Sequence, residues 1–284
     1  MNVENFFDAR TWTLSYVAWD PTTRDAVIID PVLDYIPNRN AIKEDSVQAL
    51  LAFVQRHDLK VHFIIDTHAH ADHMSGAQPL LQALPGARLV IGEKIREVQA
   101  VFAGAFELDI AVDGSQFDVL AADGDVLHAG GLVLRAIHTP GHTPACVTWD
   151  INGVLFSGDT LFIPDFGTGR CDFPKGDAGE LYDSIQRLYQ YPDDTEVYVG
   201  HDYQPGGREL RCKTTIGECK ATSLHLTSST SREDFVRFRT ARDRTLDLPN
   251  LLFQSIQVNV DAGRLPAASA KGRSFLKVPL NLFD

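Results

Sequence analysis

Residues 67–73 read Thr-His-Ala-His-Ala-Asp-His and follow directly on Val61-His62-Phe63-Ile64-Ile65-Asp66. A short apolar run rich in β-branched and aromatic residues predicts a buried strand at 61–66. In extended chain the side-chain direction repeats every two residues, so His68 and His70 share a side. Asp72 and His73 are expected in a helix start that turns them back toward the same space. Ala69 and Ala71 keep the intervening positions small. Imidazole and carboxylate together suit zinc, iron or manganese. A lone histidine is ordinarily a loop or core residue; four ligand-type side chains within residues 68–73, behind an apolar strand, read as a metal motif. Such a motif constrains the fold, because the rest of the coordination shell has to arrive from other rigid elements.

Three further segments offer it. Thr139-Pro140-Gly141-His142-Thr143 follows an apolar run ending at Ile137, and Pro140-Gly141 forces a turn there. Ser157-Gly158-Asp159 and Gly200-His201-Asp202-Tyr203 each close another such run. Every candidate ligand is therefore expected at a strand end. His57, His62, His128 and His225 lack this setting and read as structural, and His138 is expected to point away from His142.

Around these motifs, 11–19 and 24–30 read as a hairpin about Asp20-Pro21, and 44–57 as a helix through Val47, Leu50, Leu51 and Val54. A short helix is expected between Gly76 and Pro85-Gly86, a strand at 87–92 and a helix at 93–103. Closely spaced strands fill 125–158, with Asn152-Gly153 as a hairpin turn. A helix at 177–190 and a strand at 196–200 follow. Past residue 205 the pattern is less regular: an arginine-rich helix at 231–245, anchored by Phe235 and Phe238, and a proline-containing tail. Strands interleaved with helices predict an α/β chain with two central sheets and helices outside, one domain over 1–284 with a C-terminal extension from about 205.

Bulk properties exclude several functions. With 26 basic and 38 acidic residues the net charge is −12, which disfavours binding to nucleic acid. No apolar run reaches the roughly 20 residues of a membrane span, and Met1–Arg10 lacks the pattern of a secretory signal. Four cysteines without C-x-x-C spacing suit a reducing cytoplasm.

The order THAHADH (67–73), GHT (141–143), GD (158–159), GHD (200–202) resembles the metallo-β-lactamase superfamily over about residues 10–205. The resemblance implies a four-layer αββα sandwich with metal at one edge of the sheets. Most members are hydrolases with two zinc ions, glyoxalase II among them; the first ion would use His68, His70 and His142, the second Asp72, His73 and His201, with Asp159 bridging. A second set of residues, Pro144-Ala145-Cys146, Gly169-Arg170-Cys171-Asp172-Phe173 and GHDY at 200–203, resembles the persulfide dioxygenases, as does FRTARDRTLDLPNLLFQSIQVN in the tail. That resemblance implies one Fe(II) per chain, held by His68, His142 and Asp159, and oxidation of glutathione persulfide by O2 and water to sulfite and glutathione. His70, Asp72, His73 and His201 would then orient the ligands through hydrogen bonds. The segment Pro164–Thr168 is slightly longer than in mitochondrial-type members, and Cys171 stands where those have threonine.

For the substrate, Arg170 offers a planar donor fork to a glutathione carboxylate, and Tyr203 follows His201 closely. An internal ion pair with Asp165 or Asp172 is the other use of Arg170. Thr143 helps by its hydroxyl or satisfies a backbone group, and Cys171 is a redox-sensitive thiol or a small packed residue. Residues 208–244 carry a local charge of +4, which either attracts an anionic thiol or pairs with the acidic remainder of the chain. The resemblance and the length of the tail imply a homodimer. The expected activity is thus a persulfide dioxygenase, against a dinuclear zinc hydrolase of the glyoxalase II type and a non-catalytic persulfide or metal carrier.

Overall fold

The computed structural model describes residues 1–282. Strands β1 (Asn2–Asp8), β2 (Thr13–Trp19) and β3 (Asp25–Ile29) form an antiparallel meander. The β2–β3 turn closes where the Asp20 carboxylate accepts from the Thr22 and Thr23 amides, as its Asp-Pro sequence predicts. Strands β4 (Val32–Ile36) and β5 (Ala41–Lys43) lead to helix α1 (Asp45–Arg56), whose Val47, Leu50 and Val54 are buried. Then follow β6 (Lys60–Ile65), β7 (Met74–Ser75), α2 (Ala77–Ala83), β8 (Arg88–Gly92), α3 (Ile95–Ala105) and β9 (Val119–Ala121). One sheet runs β1-β2-β3-β6-β8-β9, parallel from β3 onward.

The second sheet runs in chain order through β10 (Val126–Ala129), β11 (Leu132–His138), β12 (Val147–Ile151), β13 (Val154–Phe156), β14 (Glu196–Tyr198) and β15 (Lys213–Thr215). Its β12–β13 hairpin turns at Asn152-Gly153, both at positive φ. Within this sheet only β13 and β14 pair in parallel, and α4 (Ala178–Leu188) lies in the crossover between them. Asp177 caps α4 by accepting from the Glu180 amide.

Alternation along the strands sorts side chains into three cores. Ala26 and Ile28 face α1, α2 and α3, while Val27 and Ile29 face the other sheet. Between the sheets pack Tyr16, Phe63, Leu134, Trp149 and Phe156. On the far side, Leu155 and Val197 meet Leu181, Ile185 and Leu188 of α4. The result is the expected four-layer αββα sandwich.

The region past 205 is more ordered than its sequence suggests. Besides β15 it contains α5 (Ile216–Thr222), α6 (Arg232–Asp243) and α7 (Leu252–Asn259). Helix α6 packs on α4, and α7 packs on β7 and α3. The Phe238 expectation is corrected: Phe235 is fully buried, but Phe238 is 43% exposed and lies against His225. Most bases of 208–244 pair with acids, including Arg208 with Asp165 and Asp202, Arg211 with Glu218, Lys213 with Glu196 and Lys220 with Asp193. No helix among the described residues is long and apolar enough to cross a membrane.

Candidate metal centre

The two sheets meet where the motifs lie. The Leu14 amide donates to the Gly200 carbonyl (2.9 Å), and Thr13 bridges to His201. Strand β6 delivers His68, β11 leads to His142, β13 to Asp159 and β14 to His201. Gly158, at φ +48°, sits against Thr67: a Cβ there would lie 2.5 Å from Thr67 Oγ1. Only glycine lets the Asp159 turn approach the His68 loop so closely.

One expectation fails locally. Asp72 and His73 do not begin a helix; residues 67–73 bend irregularly into the two-residue strand β7, and α2 starts only at Ala77. The bend is held by tertiary hydrogen bonds, since the His70 and His73 carbonyls accept from the Asn259 side chain, at 2.7 Å each.

His68, His70, His73 and His142 are each oriented by a hydrogen bond on one nitrogen. His68 Nδ1 donates to Thr67 Oγ1 (3.0 Å), which in turn donates to Asp30 (2.9 Å). His142 Nδ1 donates to the Arg170 carbonyl (2.6 Å), and His73 Nδ1 to that of Met74 (3.1 Å). His70 is tied the other way round, by Nε2 to Asp30 Oδ1 (3.0 Å). His201 Nε2 lies 3.3 Å from Asp72 Oδ2 and 3.4 Å from Asp159 Oδ1, and His142 Nε2 is 3.6 Å from Asp159 Oδ2. Donor atoms of His68, His142 and Asp159 all stand within 4.8 Å of one another, as do those of His70, Asp72 and His73.

These residues fit a metal. His68 Nε2, His70 Nδ1, His73 Nε2, Asp72 Oδ2 and Asp159 Oδ1 are buried without a hydrogen-bond partner, a costly arrangement for polar atoms that a cation would offset. Burial, reinforced by neighbouring histidines, pushes His68 far below its usual range, and burial with His70 brings His73 down to about 4. Both are neutral near pH 7, the form that ligates metal.

Asp30 was not among the residues singled out from the sequence. It is 2% exposed, adopts φ +48°, and accepts from the Thr67 amide, Thr67 Oγ1 and His70 Nε2. Its one sequence signal is a carboxylate directly after the apolar strand Val27-Ile28-Ile29. Asn259 carried no such signal.

Beside the centre lies a cavity of about 720 Å³, lined among others by Asp72, His142, Asp159, Trp12, Phe166, Tyr203, Arg242, Leu246 and Leu248. Tyr203 lies against Phe166, with ring centroids 4.5 Å apart, and stacks on His201 at 5.5 Å. Burial holds its hydroxyl well above the usual phenol range, so it is a proton donor. Arg170 also lines the cavity, but its fork is occupied: Nε and Nη2 each reach Asp172 at 2.6 Å, and Nη1 the Asp247 carbonyl at 2.7 Å. The internal ion pair is thus formed with Asp172, while Asp165 pairs with Arg208.

Thr143 Oγ1 faces Cys146 Sγ (3.1 Å) and accepts from the Ala145 amide (3.2 Å), so it serves the turn rather than the cavity. Cys171 packs with Leu161, Ala178 and Leu181, and burial raises its thiol far above the range of a reactive cysteine. His138 turns to the Pro144 carbonyl, away from the centre, and His62 pairs with Asp25. His225, read as structural, does bond Thr168, yet it also lines the cavity.

The family model described as metallo-beta-lactamase superfamily matches residues 13–201. The chain is 44% identical to a probable metallo-hydrolase of Burkholderia pseudomallei, over 99% of both chains. It is 45% identical to a beta-lactamase hydrolase-like protein of Agrobacterium fabrum, over 100% of this chain but only 65% of that relative's length. Human mitochondrial persulfide dioxygenase ETHE1 is 34% identical over 71% of this chain and 68% of its own. Among solved structures, ETHE1 from Myxococcus xanthus superposes with a TM-score of 0.75 at 31% identity, covering 93% of this chain and 100% of that one. The layered sheets, the gathered donor groups and these relatives agree: the chain belongs to the metallo-beta-lactamase superfamily.

Proposed function

We propose that this protein is a persulfide dioxygenase that oxidises glutathione persulfide with O2 and water to sulfite and glutathione, using one Fe(II) held by His68, His142 and Asp159. The observation that carries the reading is the gathering of two imidazoles and one carboxylate within 4.8 Å at the inner end of a cavity large enough for a tripeptide thiol. When bound, iron in a two-histidine, one-carboxylate set supplies redox chemistry toward dioxygen, which zinc lacks. The Thr67 hydroxyl and the Arg170 carbonyl hold the protons on the Nδ1 atoms of His68 and His142, so each presents Nε2. Phe166 and Phe173 give the cavity apolar walls, and Tyr203 offers a protonated phenol to an anionic sulfur. The likeness to human persulfide dioxygenase ETHE1 and to the ETHE1 structure from Myxococcus xanthus supports the same reading.

A dinuclear hydrolase is the second reading, favoured by the second donor group of His70, Asp72 and His73 and by the hydrolase-named relatives. It would cleave a glutathione thioester with metal-activated water. Elemental analysis separates the two. The dioxygenase reading expects one equivalent of iron per chain, lost in Asp159→Ala, and no turnover of S-lactoylglutathione. Two equivalents of metal with thioester hydrolysis would establish the hydrolase instead.

A further inference from the structure

The family match ends at His201, yet the loop that carries three of the candidate ligands is held from behind by a residue far beyond it. Asn259, the last residue of α7, is 2% exposed. Its Nδ2 donates to the carbonyls of His70 and His73 at 2.7 Å each, and its Oδ1 accepts from the Ser75 amide at 2.8 Å. A single side chain therefore satisfies three main-chain groups across residues 70–75. Within this irregular bend those carbonyls have no ladder or helix to join, and buried carbonyls need a partner. Asn259 is itself fixed in place: Ile256, Val258 and Val260 are fully buried beside it, and Gln99 donates to the Val260 carbonyl at 2.9 Å.

We propose that Asn259 is a positioning residue for the metal centre, holding residues 70–75 in the bend that aims His70, Asp72 and His73 into the ligand space. The bend brings the His70 and His73 rings to 4.1 Å between centroids, with one nitrogen of each unpaired. A loop ordered in advance spares the metal the cost of ordering it, so Asn259 acts on metal affinity and not on fold stability alone. The inference rests on the site holding a metal whose ligands, or the groups packed around those ligands, come from residues 70–75.

Cobalt(II), which reports its coordination through visible absorption, is the probe. The metal-free full chain, Asn259→Asp, Asn259→Ser and the core control Ile256→Val would be titrated with cobalt against a competing chelator, with thermal midpoints recorded alongside. Asn259→Asp is isosteric and removes both donated hydrogen bonds; Asn259→Ser keeps one short donor. The expected result is a roughly 10- to 100-fold weaker cobalt affinity for Asn259→Asp, a smaller loss for Asn259→Ser, and an altered spectrum in both. Ile256→Val should lower the thermal midpoint and leave affinity and spectrum unchanged. Folded Asn259 variants with the parent's affinity and spectrum would overturn the proposal, as would an equal affinity loss in Ile256→Val. Failure of the unsubstituted chain to take up cobalt would instead remove the metal reading itself, and this inference with it.

Discussion

Asp30 shows how one buried side chain governs two histidines of the candidate centre at once. It fixes His70 directly and His68 through Thr67, with a backbone conformation that aspartate tolerates better than most residues. Burial alone would lower the His70 imidazolium, but the Asp30 charge and hydrogen bond, with Asp66 behind them, outweigh it and raise the pKa to about 9. A histidine raised above its unfolded value of about 6.5 contributes stability that is full below that pH and lost as pH rises through the folded value. The urea midpoint of the metal-free protein should therefore fall between pH 6.5 and about 9, and Asp30→Asn should flatten that slope. Cys171 makes the opposite point. Its side chain lies in the core under α4, so Cys171→Ser should change turnover by less than about twofold while costing about 1 kcal/mol of stability in urea unfolding. A large fall in turnover with the fold intact would return it to the site.

At the scale of elements, the loop after Asp159 is fastened by α6. Arg239 Nη2 and Asp243 Oδ1 pair at 2.5 Å, both 3% exposed; Asp243 Oδ2 accepts from the Cys171 amide, and the neighbouring Arg170 carbonyl holds His142. Removing one partner of a buried pair leaves the other charge uncompensated, so Asp243→Ala should cost about 3–5 kcal/mol in urea unfolding. Exposed pairs such as Arg232 with Asp183 should cost almost nothing by the same measurement. Elements with a full period were legible in the sequence: α1 shows its buried stripe, β11 alternates, and Asn152-Gly153 marks its hairpin. Others had no period to read. Strand β7 is two residues long, β1 has a mostly wet face, and α7 is buried on most sides, so no polar stripe marks it as a helix. The candidate donor set was legible because its members cluster by type and spacing. Asp30 and Asn259 were not, because one ordinary polar residue acquires its role only when the chain brings it to the site.

The whole molecule places the centre where two sheets from the two halves of the chain converge, with the candidate donors in the segments that follow β6, β11, β13 and β14 and one side open to the cavity. Its net charge of −12 has little bearing on the site, since the basic stretch of 208–244 is largely spent on internal pairs. Among the cavity-lining arginines, Arg10 reaches Asp34, Arg170 reaches Asp172 and Arg239 reaches Asp243. Binding an anionic thiol by Arg170 would therefore require the exchange of Asp172 for the substrate carboxylate, and Asp172→Asn should tighten rather than weaken such binding, read as a lower KM. Oxygen consumption by the iron-loaded protein with glutathione persulfide tests whether the open side of the centre serves a dioxygenase: oxygen uptake matched by sulfite and abolished in Asp159→Ala is expected, whereas no uptake by fully iron-loaded protein would overturn that reading.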